Sequence, residues 1–142
     1  MRIEGRIIPP KGKEKLWGVE IDSIGVFTQG KSLRNAYLMA KDAVELLAED
    51  AGIPFEATIE PGSEKHTFTL GCDDARSFLQ FTLRRIRESN DLSLMEVSEK
   101  LDSNSPNAYS RYEHGTMPRL DTLEEMLGVI DPDLDLVFKK RA

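Results

Sequence analysis

The stretch from Ser93 to Gly115 confines the chain more tightly than any other, because it holds two helix starts and a helix stop in one short run. Ser93 stands three residues before Glu96, the spacing of a capping box, in which hydroxyl and carboxylate satisfy backbone donors that a first helical turn leaves free. Leu94, Val97 and Leu101 then recur at helical spacing. A second start follows at Ser105, with Pro106 at the first helical position, where its missing N–H costs nothing and its fixed φ suits the helix. Ala108, Tyr109 and Tyr112 make a short apolar face, and Gly115 stops it. Between the two helices, Asp102, Ser103 and Asn104 are polar, and Asn104 tolerates a left-handed turn. Two short helices joined by a tight turn form the unit that sets a helix into a duplex groove.

The run resembles the helix-turn-helix of the Cro/phage-repressor (XRE-like) family over about Phe78 to Val129. Ser98 sits where that family carries a small residue, so the two helices can approach closely. The run from Arg111 through Glu113 to Gly115 matches its Arg-Ile-Glu-x-Gly ending, and Pro118 with Leu123 matches the lead into the next helix. Leu94 departs from the pattern: it stands where the family often places a Gln that grips a phosphate or base. The resemblance implies that Ser105, Asn107, Ala108, Ser110 and Arg111 lie at the groove. Asn107 or Arg111 would read base edges, since Asn suits adenine and Arg suits guanine. Arg119 and Ser93 would hold phosphates. Capping boxes and Glu-x-Gly turns also occur in helices that merely pack, so the agreement of several spaced features carries the weight. Residues 73–142 hold 10 Lys and Arg against 14 Asp and Glu, unlike the usual basic DNA-binding domain. Arg84, Arg85, Arg87, Arg111, His114 and Arg119 nevertheless fall in or beside the helix pair, and a local patch can draw in phosphates.

At 142 residues the chain makes one ordinary domain or two small ones. Its 39% apolar and 31% charged residues describe a globular protein, with no apolar run near the roughly 18 residues of a membrane span. The N-terminus lacks the apolar core of a secretory signal, so a cytoplasmic location is expected. The single Cys72 rules out an internal disulfide and suits a reducing compartment. His66, His114 and Cys72 are too widely spaced to suggest a zinc site, and no metal or cofactor is expected.

The first half has a different texture. Ile3, Gly5 and Ile7 alternate with Arg2, Glu4 and Arg6, the pattern of a strand with one wet face. After a turn over residues 9–15, Trp17, Val19 and Ile21 face one side of a second strand, and residues 26–28 read as a third. Ser32 caps a helix whose Leu33, Ala36, Tyr37, Ala40, Ala43, Val44 and Leu47 form a stripe that can lie on the sheet. Residues 57–59 and 67–70 read as one or two further strands around a Pro61-Gly62 turn. The expected fold is α+β: a small antiparallel sheet with one covering helix over residues 1–72, then an all-α helix-turn-helix domain over 73–142 ending in a short strand. So small a first domain is marginal alone and is expected to lean on an oligomer or partner.

The piece from Trp17 to Ala43 is similar to the N-terminal domain of HicB antitoxins: Asp22, Gly25, Thr28, Gln29, Gly30, Ala36, Ala40 and Ala43 match its motif. Ile21 and Ile24 replace two prolines and Val26 a common Cys, which implies a looser turn. The resemblance implies a truncated RNase H-like sheet that docks on a small basic HicA-like toxin, an enzyme that cleaves mRNA. The C-terminal domain would bind the operon's own operator DNA. Neutralisation would be steric and would need no catalytic residue. Residues 1–72, with 9 Lys and Arg against 11 Asp and Glu, mildly complement a basic partner.

An RNase H-like fold also invites a nuclease site, which needs several acids converging on metal ions. Glu20 and Asp22 face away from Trp17 and Val19, which suits a solvated face better, and Glu4 gives no further pointer. Trp17 and Tyr37 are expected in the core. At the far end Asp131-Pro132 breaks the chain, and Leu134, Leu136 and Phe138 alternate with Asp133, Asp135 and Val137 as in a strand. A lone strand has an unpaired edge. It is expected to pair with its twin across a two-fold axis in a homodimer, or a higher homo-oligomer, with two recognition helices one DNA turn apart. The competing placement returns it to the N-terminal sheet. The alternative function is a stand-alone transcriptional regulator with a sensing N-terminal domain, which would lack a short basic open reading frame beside its gene.

Overall fold

The computed structural model describes residues 1–141. Five strands, β1 (Arg2–Ile8), β2 (Trp17–Ile21), β3 (Val26–Gly30), β4 (Thr58–Pro61) and β5 (Thr67–Gly71), make one antiparallel sheet in the order β3-β2-β1-β5-β4. The long helix α1 (Leu33–Asp50) crosses from β3 to β4 and packs on β3 and β2. Four helices follow: α2 (Ala75–Ser89), α3 (Leu94–Lys100), α4 (Asn107–Glu113) and α5 (Leu120–Ile130). The chain divides into two compact units, with Met1–Phe78 as the body of one and Leu79–Lys139 as the other, so the boundary falls inside α2.

Alternation decides which face of the sheet is dry. Gly5, Ile7, Val19, Ile21, Phe68 and Leu70 point to α1 and are buried, whereas Glu4, Arg6 and Phe27 point away. Ala36, Ala40, Val44 and Ala48 answer them at helical spacing, and small residues let α1 lie close to the sheet. At Gly30 this approach is closest: a Cβ there would stand 2.4 Å from the Ala36 backbone nitrogen. Ser32 caps α1, its hydroxyl accepting the Asn35 N–H at 3.0 Å. Tyr37 meets Phe68 edge-on at 5.8 Å, so it serves the core as expected.

The turn with the two replaced prolines is tight rather than loose. Asp22–Ile24 is a single 3-10 turn closed by Gly25 in the left-handed region (φ 61°), and Ile21 and Ile24 are fully buried. The isoleucines supply core volume where prolines would supply stiffness.

Spacing alone predicts no helix ahead of Ser93, yet α2 forms. Asp74 caps it, its carboxylate accepting the Arg76 and Ser77 N–H groups and the Ser77 hydroxyl at 2.6 Å. Three further expectations change. Between α3 and α4 the left-handed residue is Asp102 (φ 57°), not Asn104. Asp121, which the sequence offers as the cap of the next helix, lies instead inside the first turn of α5, which begins at Leu120 with Arg119 at the cap position. Finally, residues 134–141 belong to no strand, and among the described residues the sheet contains no C-terminal member, so the short strand expected from the alternation is not formed. A strand needs a ladder partner to exist as one.

Candidate nucleic-acid interface

Helices α3 and α4 are seven residues each, shorter than a helix that stands alone in water, so their neighbours must fix them. Both starts use the hydroxyls the sequence offers. Ser93 Oγ accepts the Glu96 N–H at 3.0 Å, and Ser105 Oγ accepts the Asn107 N–H at 3.3 Å, with Pro106 already helical (φ −63°, ψ −20°). Ser98 is fully buried and its hydroxyl donates to the Pro106 carbonyl at 3.4 Å, so its small size lets α3 and α4 meet.

The inner face of α4 holds Tyr109, Tyr112 and Glu113. Glu113 receives a two-point bond from Arg87 of α2, Nε to Oε2 at 2.7 Å and Nη2 to Oε1 at 2.9 Å, with side-chain exposures of 12% and 4%. The third nitrogen of Arg87 donates to the Leu92 carbonyl at 2.8 Å. This fork pins α4 and the α2–α3 connection together. The carboxylate holds the guanidinium pKa above its ordinary value, and burial, with Glu113 close by, holds the Tyr109 phenol well above its own. Gly115 ends α4 at φ 111°, and a Cβ there would stand 2.7 Å from Gln80 Nε2. The positive φ is what favours glycine here, since the flexible tip of Gln80 could move aside.

The outer face of α4 carries Asn107, Ser110, Arg111 and His114, which share one side at helical spacing. Asn107 and Arg111 are exposed, and Ala108 and Ser110 are half-buried. The Arg111 guanidinium donates to Tyr112 Oη at 2.8 Å and lies 4.8 Å from that ring's centre. His114 Nδ1 sits 2.7 Å from the Ser110 carbonyl. Ser93 and Ser105 are exposed at the two helix starts, and Arg119 is exposed beside Asp121, its partner at 3.3 Å. The structure therefore gathers Ser105, Asn107, Ala108, Ser110 and Arg111 onto α4 and its start, while Ser93 and Arg119 stand on other elements.

The arginine patch changes most. Arg87 is spent on Glu113, and Arg84 and Arg85 both pair with Glu88, at 2.8 and 3.5 Å. Those three guanidiniums organise the helices and leave little field for phosphates. The signal for this was present: Glu88 follows Arg84 by four residues, a helical ion-pair spacing. The Arg87–Glu113 fork is the feature that motif reading overlooks.

Residues 83–136 match the family model described as helix-turn-helix. With α3 and α4 at its centre, this part of the chain is an XRE-like helix-turn-helix, and the chain carries a DNA-binding regulatory module. No curated protein is similar enough to the chain to be named as a relative. Among the described residues no helix is long and apolar enough to cross a membrane.

Proposed function

We propose that the chain is a HicB-like antitoxin: its N-terminal unit covers a small basic mRNA-cleaving toxin, and its helix-turn-helix represses the operon that encodes both. The observation that carries this reading is the order of parts. The motif residues Asp22, Gly25, Thr28, Gln29, Gly30, Ala36, Ala40 and Ala43 run through a sheet-and-helix unit, and a helix-turn-helix match follows it. The sheet face that α1 leaves uncovered suits a docking role. It presents Phe27 at 66% exposure and the acids Glu4, Glu20 and Glu60, and Arg6 holds Glu20 at 2.8 Å and Asp22 at 3.0 Å.

No catalytic role is assigned to these acids. Two of them share one guanidinium, and among the described residues no group of three or more His, Cys, Asp or Glu is placed to hold a metal ion. Co-expression with the short basic open reading frame beside the gene is the test. The two products should co-purify as a stoichiometric complex; a chain that purifies alone, with no such neighbour, supports the stand-alone regulator instead.

A homodimer completes the reading. Leu136, Val137 and Phe138 are 45%, 75% and 98% exposed, and their alternating pattern suits pairing with a second copy. Sedimentation should give a dimer that becomes a monomer when residues 131–142 are deleted. A monomer before and after deletion contradicts it.

A further inference from the structure

The mild charge of the N-terminal unit conceals a strong polarity. The β1–β2 connection, the β4–β5 turn and the start of α1 all lie at one end of the sheet, because Ile8 pairs with Gly18, Arg6 with Thr67, and Trp17 with Gly30. Lys11, Lys13, Lys15, Lys31, Arg34 and Lys65 stand there, all exposed and, among the described residues, none in an ion pair. The only acids among them are Glu14 and Glu64. The other three cations of residues 1–72, Arg2, Arg6 and Lys41, are all ion-paired. One end thus has a net charge of +4 and the rest of residues 1–72 has −6. Glu49 and Asp50 sit at the opposite end of α1, roughly 25 Å along its axis from Lys31.

The helix-turn-helix has the reverse character. Arg84, Arg85, Arg87 and Arg119, four of the six Lys and Arg between residues 79 and 138, are paired with acids. Phosphate contacts supply much of the affinity of a protein for a duplex, and a paired arginine makes one only by loosening its acid partner.

We propose that the lysine-rich end of the N-terminal unit binds the phosphate backbone of duplex DNA and adds sequence-independent attraction to that of the helix-turn-helix, whose arginines are largely paired. The inference rests on the reading of the C-terminal domain as the DNA binder, which tethers the lysines and raises their effective concentration at the duplex. Exposed lysines on a turn have freedom to follow a backbone, and five lysines and Arg34 without acid partners give up no ion pair on binding.

The test is fluorescence anisotropy of the full chain on two duplexes, the DNA immediately upstream of its own gene and a random-sequence duplex of equal length, from 50 to 200 mM salt. Lys11→Gln, Lys13→Gln and Lys15→Gln are combined in one variant, with the matching triple Lys→Arg variant as control. The glutamine variant should lose up to about 2.7 from the log–log salt slope, so that its affinity falls by roughly 40-fold less than that of wild type across this range. The arginine variant should keep the wild-type slope. If the glutamine variant keeps the wild-type slope and affinity on both duplexes, the proposal fails by itself and the cluster is left to an acidic protein surface. If wild type binds neither duplex at 50 mM salt, the reading of the C-terminal domain fails with it.

Discussion

The two units solve the same problem, holding a surface in place, by opposite means. The N-terminal unit is fixed by backbone ladders and by a dry face of Ile, Val, Phe and Ala, and the cations at the end that holds the β1–β2 connection have no ion pair among the described residues. The helix-turn-helix has two seven-residue helices and no ladder, so it spends its arginines on geometry, most of all on the buried Arg87–Glu113 fork. A sheet can leave charge available for partners, whereas a small helical unit consumes it. Counting charges along the sequence misses this division, because a paired and an unpaired arginine count alike.

Single substitutions should separate the two strategies. The largest effects belong to the cores. Phe68→Ala empties a fully buried site under Tyr37 and should cost about 3–5 kcal/mol in denaturant unfolding. Glu113→Ala leaves Arg87 buried without its partner and should also cost about 3–5 kcal/mol. Hydrogen exchange tells them apart: the first should expose β1 and β5, the second α3 and α4. Equal loss of protection in both units from either change would mean that the units do not have separate means of stabilisation.

Next in size is Arg111→Ala, which should weaken binding to the upstream DNA by about 1–3 kcal/mol while leaving the melting curve in place. An unchanged affinity and sequence preference would remove Arg111 from the interface. The smallest effect is at Asp74. The Ser77 hydroxyl, and then the Ser77 N–H, hold its carboxyl below the ordinary aspartate value. A carboxyl depressed on folding stabilises above its unfolded pKa, and that contribution disappears as the pH falls through the folded value. Asp74→Asn should therefore narrow the acid-induced loss of stability only slightly, as seen by comparing melts at neutral pH and well below the aspartate range.

Much of this was legible in the residues. Period-two alternation marks β1 and β2, the Ala stripe marks α1, and the Ser93 and Ser105 starts mark α3 and α4 at the observed places. Other features were hidden for physical reasons. Helix α2 carries charge and apolar groups together, and its Asp74 cap stands just beyond a strand. The 3-10 turn at Asp22 is set by burial of Ile24, which no local pattern announces. The tail from Leu134 alternates like a strand, but a ladder requires a second edge, and none pairs with it among the described residues. The fate of Arg87 depends on long-range pairing with Glu113, and so could not be read from spacing.

The proposed function is a division of labour, with toxin capture in front and promoter binding behind. Its most direct test is growth of cells that express the short basic open reading frame expected beside the gene, as the proposed toxin, together with the full chain carrying Arg111→Ala. The account predicts rescue equal to wild type while the promoter is derepressed; loss of rescue in step with loss of repression would contradict it.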